Sequence, residues 1–256
     1  MTWLIYGANG FTGELIVEEA LRRGKTPIVA ARKAESLARW ANDPRVKTRV
    51  FGLGDETELP RHLVEVNLVL NCAGPFADTA APLMDACARI GAHYLDITGE
   101  IDVIEAGHAR DALFRDANAV VMPAVGFDVV PSDCLAALLA ARLPGAKRLT
   151  LAFQSLGGLS AGTAKTAIRA LPEGGRVRID GRITRVPPAW KTRSVPFAEG
   201  TRTAVTIPWG DVSSAFHSTG IPNIEVYTVV PPEQLPRYVG RGGGCRCYVS
   251  NRCKTG

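Results

Sequence analysis

The chain has 256 residues, 46% of them hydrophobic and 21% charged. At about 150 residues per domain it holds one large domain or two small ones, and the composition excludes a disordered or fibrous chain. Thirty Lys and Arg against 25 Asp and Glu leave a formal charge of +5, which taken whole would point to an anionic partner. The distribution points elsewhere. Residues 1–128 carry 13 basic and 18 acidic groups, and residues 129–256 carry 17 and 7. Arg237, Arg241, Arg246, Arg252 and Lys254 account for the whole excess, so residues 1–236 balance at 25 against 25. Nucleic acid is not an expected partner. No apolar run reaches the ~18–20 residues needed to span a bilayer. The opening Met1-Thr2-Trp3-Leu4-Ile5-Tyr6-Gly7 lacks the basic and long apolar regions of a secretion signal, so the expected compartment is the cytoplasm. Cys72, Cys87 and Cys134 lie in apolar segments and read as small buried hydrophobes. Cys245, Cys247 and Cys253 crowd together without His or acid, and no metal site is expected.

The first half alternates short apolar runs with amphipathic ones. Trp3–Tyr6 predicts a buried strand, Phe11–Arg23 a helix, Pro27–Ala31 a strand, Ala34–Trp40 a short helix and Lys47–Phe51 a strand. Val66–Asn71 is a strand whose centre, Leu68–Leu70, is apolar, as a strand covered on both faces should be. Ala80–Ile90 is a helix stopped by Gly91, His93–Ile97 a strand, Asp102–Arg115 a helix and Ala119–Met122 a sixth strand. Strands alternating with helices imply a parallel sheet. Beyond residues 124–130 the texture changes. Pro131 opens a helix over Ser132–Leu143. Strands are expected at Leu149–Gln154, Thr201–Ile207 and Ile224–Val230, a helix at Gly162–Leu171, and a hairpin over Gly174–Val186 turning at Asp180-Gly181. The fold class is α/β: an N-terminal Rossmann-type parallel sheet over 1–128 and a second α+β domain over 129–240.

The first strand runs into Gly7-Ala8-Asn9-Gly10-Phe11-Thr12-Gly13, which opens the first helix. One glycine turns out of the strand, one lets backbone approach a pyrophosphate, and one lets helix and strand pack closely. A site that binds NAD normally places Asp or Glu at the end of the second strand, on the ribose 2′-hydroxyl. Here that strand ends Ala30-Ala31-Arg32-Lys33. Guanidinium matches phosphate geometry, so NADP is favoured over NAD, with Arg32 on the 2′-phosphate. Strand Val66–Asn71 ends in Cys72-Ala73-Gly74-Pro75, small residues that let backbone run beside a cofactor at the carboxyl edge of the sheet. Asp96 and Glu100 close the next strand and read either as ligand contacts or as caps of the following helix. Asp128 and Ser132 also fall near the expected cleft, with capping an equal alternative.

Several chemistries are excluded. The five tyrosines are followed four residues later by Gly10, Thr98, Pro231, Gly242 and Arg252, so no Tyr–Lys reductase pair exists. No H-E-x-x-H is present. Glu105 and His108 stand one turn apart on what reads as a solvated face, and His62, His93 and His217 read as isolated. No general acid or base is identified.

Gly7–Gly13, Asn71-Cys-Ala-Gly-Pro-Phe76, His93-Tyr-Leu-Asp-Ile-Thr-Gly-Glu100 and Gly126-Phe-Asp-Val-Val-Pro-Ser-Asp133 stand in this order. Together they resemble the saccharopine dehydrogenase-like oxidoreductase family, which includes the bacterial trans-acting enoyl reductases. The resemblance covers residues 1–240. It implies an N-terminal domain that binds NADP(H), a closing C-terminal domain, and hydride transfer to or from a small-molecule or lipid-intermediate substrate. Asn9 departs from the Thr usual in these loops. Residues 241–256 resemble no part of the family, so a second domain cut short is the expectation. The alternatives carried forward are a non-catalytic NADP-binding sensor or scaffold and a truncated, inactive enzyme. A homodimer is also carried forward.

Overall fold

Apolar alternation in the first half builds two cores on one sheet. The computed structural model describes residues 1–154 and 174–230. Its first sheet holds β1 (Trp3–Tyr6), β2 (Ile28–Ala31), β3 (Lys47–Val50), β4 (Leu68–Asn71), β5 (His93–Asp96) and β6 (Val121–Met122). The order is β3-β2-β1-β4-β5-β6, with every pairing parallel. Successive side chains on a strand face opposite ways. Leu4, Tyr6, Ile28, Ala30, Val69 and Tyr94 pack with Leu83, Met84 and Cys87 of α3 (Phe76–Ile90). Ile5, Val29 and Ala31 pack on the other face with Leu37, Trp40 and Val17 of α1 (Phe11–Arg22). Chain order reverses between β1 and β4, and in open parallel sheets the ligand crevice forms at such a switch point.

Three expected helices in this half are redrawn. Ala34–Trp40 contains only a 3-10 turn over Ala34–Leu37. Pro44 follows closely and disfavours helix at the residue before it. The segment is instead tied back to α1 by Arg39, which pairs with Glu14 and Glu18. The helix expected at Asp102–Arg115 breaks at Arg110 into α4 (Ile101–Ala109) and α5 (Asp111–Asp116). The Arg110 guanidinium reaches Asp85 of α3 at 2.7 and 3.1 Å, which turns the chain there. Helix α3 begins at Phe76 rather than Ala80, for a reason that belongs to the site. A single turn, α2 (Leu59–His62), was not expected.

The second half folds α6 (Val130–Arg142), β7 (Arg148–Phe153), β8 (Gly175–Ile179), β9 (Arg182–Val186), β10 (Thr192–Phe197), β11 (Gly200–Thr206), α7 (Asp211–Thr219) and β12 (Asn223–Val229). β12 is central. Its Ile224 lies between Leu149 and Arg178, and its Thr228 between Phe153 and Val205. β7 therefore runs parallel along one edge, while β8 and β11 run antiparallel along the other. The hairpin turns at Asp180 (φ 48°) and Gly181 (φ 79°), the left-handed pair that a two-residue turn requires. Leu149, Leu151, Ile224 and Val226 form a core with Ala136 of α6 and with Val212 and Ala215 of α7; Ile101 of α4 joins them. The two domains thus share a packed seam. β10 and α7 were not expected. β10 is a mostly exposed strand containing Pro196, and α7 is rich in Ser, Thr and His, weak helix formers held by packing. The helix expected at Gly162–Leu171 and the tail 241–256 lie outside the described residues. Among the described residues no helix is long and apolar enough to cross a membrane.

Candidate cofactor site

The loop after β1 is shaped by its glycines. Gly7 adopts φ +81°, which glycine tolerates at no steric cost. A Cβ there would lie 2.7 Å from the Ala73 nitrogen, so the loops after β1 and β4 are in backbone contact. A Cβ on Gly13 would lie 2.3 Å from the Gly7 carbonyl oxygen, which sets α1 hard against the loop. The Gly7 and Ala8 N–H groups both donate to the Ala30 carbonyl (2.9 and 3.3 Å), hooking the loop to the end of β2. Gly10 differs. Its φ is −83°, and a Cβ would meet nothing closer than 3.4 Å. Gly10 is the N-cap of α1 and supplies no side-chain hydrogen bond. The first-turn N–H groups at Phe11, Thr12 and Gly13 have no such cap, and the helix dipole adds positive potential at that end. Asn9, Phe11 and Thr12 are exposed around it, whereas Ala8 is buried. Uncapped N–H groups at a helix start are the donor set that an anion needs.

Just beyond β2, Arg32 and Lys33 are exposed. Lys33 pairs with Glu35 at 3.9 Å. Arg32 makes no salt bridge with any described residue. Its charge lies near Tyr6, where it works against the burial that pushes the Tyr6 hydroxyl up.

Across the sheet, Tyr6, Asn71 and Asp96 stand side by side at the carboxyl ends of β1, β4 and β5. Fully buried Asn71 donates to Thr79 Oγ1 (3.0 Å) and Tyr94 OH (3.1 Å), and it accepts from the Ala73 N–H (3.0 Å). Thr79 donates to the Ala73 carbonyl at 2.7 Å. Tyr94 donates to Asp96 Oδ2 at 2.9 Å, while Asp96 Oδ1 accepts from the Thr98 and Ala124 N–H groups at 3.0 and 2.8 Å. One chain of hydrogen bonds thus fixes the loops after β4, β5 and β6. Asp96 is sealed within it, 0% exposed, and burial pushes its carboxyl up. Glu100 holds a different helix from the one it precedes. Its two carboxylate oxygens accept from the Phe76 and Ala77 N–H groups, each at 2.9 Å, and this starts α3 at Phe76. Both carboxylates are thus engaged by backbone N–H groups of the crevice loops. Burial, with the Asp96 charge, pushes the Cys72 thiol up to about 12, so it stays neutral and forms a small wall rather than a nucleophile. Ala73 is half-buried and Gly74 exposed, Pro75 is the N-cap of α3, and the Gly74–Pro75 peptide is cis.

The second domain closes the far side. The Trp209 indole N–H donates to the Asp128 carbonyl at 2.8 Å, and its ring lies 5.1 Å from that of Phe153. A Cβ on Gly210 would meet Val129 Cγ2 at 2.9 Å and the Gly99 carbonyl at 3.2 Å, so the head of α7 abuts the loop after β5. Phe127 is 88% exposed beside this junction. Helix α6 starts at Val130 without a side-chain cap, so capping does not account for Asp128 or Ser132; the Ser132 hydroxyl donates to the Val129 carbonyl at 3.0 Å. Asp211, the first residue of α7, is fully buried and neither carboxylate oxygen has a hydrogen-bond partner. Burial raises it to about 6, with the neighbouring Ser132 hydroxyl opposing the rise and Asp133 adding to it. Trp209 and Asp211 were not singled out from the sequence, and Phe127 stood there only within the Gly126–Asp133 run. The compact run Pro208-Trp209-Gly210-Asp211 was the one available signal. Among the described residues no three His, Cys, Asp or Glu side chains gather as metal ligands.

Comparison with known proteins agrees with this geometry. Residues 3–122 match the saccharopine dehydrogenase NADP binding domain. A probable mitochondrial saccharopine dehydrogenase-like oxidoreductase of Arabidopsis thaliana is 33% identical over 147 residues, 51% of this chain and 32% of the relative. The trans-acting enoyl reductase of Mycobacterium tuberculosis is 33% identical over 141 residues, again 51% of this chain and 33% of the relative. The chain thus spans about a third of the length of these curated relatives. Apo saccharopine dehydrogenase (L-Glu forming) from Saccharomyces cerevisiae shares the fold, with a TM-score of 0.62 at 13% identity over 89% of this chain and 54% of that one. Residues 3–122, just under half of the chain, are thus similar to saccharopine dehydrogenase NADP binding domains.

Proposed function

We propose that the chain is the nucleotide-binding and substrate-closing part of an NADP(H)-dependent oxidoreductase. The observation that carries this reading is the pairing of an uncapped glycine cradle at Gly7–Gly13 with a cation, Arg32, where an NAD site would have a carboxylate. The cradle fits a pyrophosphate. The loop N–H groups would hold it, Arg32 would take the 2′-phosphate, and Cys72, Ala73, Gly74 and Pro75 would line the nicotinamide side. When bound, the cofactor supplies or accepts a hydride. The chain's own part is positioning: the Asn71–Tyr94–Asp96 network fixes the crevice loops, and Glu100 fixes the start of α3. The substrate would enter between the loop after β5 and the Phe127–Trp209 junction, where aromatic and small side chains suit an apolar organic or acyl substrate. The name of the mycobacterial relative makes an enoyl compound the first to try. The free thiols Cys72, Cys87 and Cys134 fit a reducing compartment such as the cytosol.

A non-catalytic sensor is the second reading. It is favoured by the commitment of both crevice acids, Asp96 and Glu100, to backbone N–H groups. NADPH oxidation measured with an enoyl thioester and with an imine separates the two. Turnover with either supports the enzyme; NADPH binding with turnover of neither supports the sensor. Failure to bind NADPH overturns both.

A further inference from the structure

Helices α4 and α7 meet across the seam between the two domains. Glu105 and His108 stand one turn apart on α4; Ser213 and His217 stand one turn apart on α7. The His217 expected to be isolated is stacked on His108, ring centroids 3.4 Å apart and planes within 13°. Glu105 Oε1 accepts from the Ser213 hydroxyl and from Arg178 Nη2, each at 2.6 Å, and lies 3.5 Å from His217 Nε2. Arg178, on β8, is 4% exposed. It also donates to the Val212 and Gly181 carbonyls, both at 2.8 Å, and sits 4.2 Å from the Phe216 ring centroid. The face expected to be solvated is therefore an interdomain contact.

Its charges can be counted. The Glu105 carboxylate is answered by the buried Arg178 guanidinium. Asp102 of α4 is paired with Arg176 of β8 at 2.6 Å. Asp111, on α5, faces the pair only at longer range. Glu105 and Arg178 cancel, so a first proton on the rings stands as one net positive charge, steadied by the Glu105 carboxylate 3.5 Å from His217 Nε2. A second places two imidazolium ions face to face beside Arg178, where like charges repel strongly in a half-buried site. His108 is held below the ordinary histidine range by burial and by His217, with Glu105 and Asp111 opposing. His217 is 30% exposed, so protons reach the pair from solvent.

We propose that this cluster is an acid-opened latch between the domains: the stacked rings hold α7 against α4 while they carry one proton at most, and release it when both are protonated. The head of α7 is Gly210, which abuts the Gly99 carbonyl. Opening the latch therefore moves one wall of the crevice. Only this last link rests on the proposed cofactor site.

The chain has four histidines, so imidazole resonances of the whole protein can be followed by NMR against pH and assigned with single variants. The latch predicts that the pair takes up its two protons in separate steps, the second below the ordinary histidine range. The Trp209 indole N–H resonance, which reports the bond to Asp128, should move with that second step. H217Q should abolish this movement, and H108Q serves as a second variant if H217Q fails to fold. Titration of both rings in one ordinary step overturns the latch, as does a Trp209 signal unmoved by the second proton. NADPH affinity should fall at least tenfold across the same step in the parent and stay level in H217Q; a level parent would refute the link to the crevice. A chain that binds no NADPH at any pH would defeat the cofactor reading while the resonances still decide the latch.

Discussion

Replacing the loop glycines one at a time separates what the fold needs from what a ligand needs. Gly7→Ala forces a side chain into φ +81° and places its Cβ 2.7–2.8 Å from the Ala73 backbone. The left-handed backbone costs about 1 kcal/mol and the overlap about 1–3 kcal/mol more, so the fold should lose about 2–4 kcal/mol. At about 2–4 °C per kcal/mol for a chain of this size, the melting temperature should fall by roughly 5–15 °C. Gly13→Ala should cost at least as much, since its Cβ would stand 2.3 Å from the Gly7 carbonyl. Gly10→Ala meets nothing closer than 3.4 Å at an ordinary φ of −83°, so its stability should stay within about 0.5 kcal/mol of the parent. In the proposed cofactor site its Cβ would stand between the loop and the pyrophosphate, and NADPH affinity should drop tenfold or more, about 1.4 kcal/mol or above. Thermal denaturation without nucleotide and fluorescence titration with NADPH read the two effects apart. A Gly10→Ala variant that melts like Gly7→Ala, or that binds NADPH like the parent, refutes the assignment of Gly10 to the ligand.

Three further outcomes follow from side chains. Asp211 has no hydrogen-bond partner and a carboxyl raised to about 6. The folded state therefore holds its proton where the unfolded chain has lost it. The associated stability is present below about pH 4 and is lost as pH rises through about 6. Asp211→Asn should remove this fall and melt higher than the parent at pH 8, by about 1–3 kcal/mol equivalent; a variant less stable than the parent at pH 8 contradicts the buried-acid assignment. Glu100→Ala removes both acceptors at the start of α3 and should cost about 1–2 kcal/mol in denaturant unfolding. An unchanged midpoint would show that α3 is held by other means. Cys72→Ala should leave NADPH binding within about threefold (under 1 kcal/mol), because a thiol raised to about 12 is neutral in the crevice; a collapse of binding would assign the sulfur a direct role.

The parallel sheet was legible because local signals agreed. Trp3–Tyr6 and Leu68–Leu70 are unbroken apolar runs, and Phe11–Arg22 carries its apolar residues at helical spacing. The Asp180-Gly181 hairpin was legible because only particular residue types accept two successive positive φ values. The glycine loop was legible for the same local reason. What escaped reading depends on partners far away along the chain. Glu100 meets the head of α3 24 residues earlier. Its spacing pointed to the helix that follows, yet tertiary packing turned its carboxylate back. His217 and Glu105 become neighbours only once α7 docks on α4, and α7 has too few apolar positions to announce itself. Asp211 looks like an ordinary first-turn acid, and burial alone makes it unusual.

The central claim is that Arg32, standing where a carboxylate would select NAD, makes this an NADP(H) site. Calorimetric titration of the parent and of Arg32→Ala with NADPH and NADH tests it most directly. Charge-assisted hydrogen bonds to a phosphate are worth about 1.5–3 kcal/mol. The parent should therefore bind NADPH more tightly than NADH, and Arg32→Ala should lose about 10- to 150-fold in NADPH affinity while NADH changes by less than about threefold. Equal losses for the two nucleotides, or binding of neither by the parent, would contradict the account.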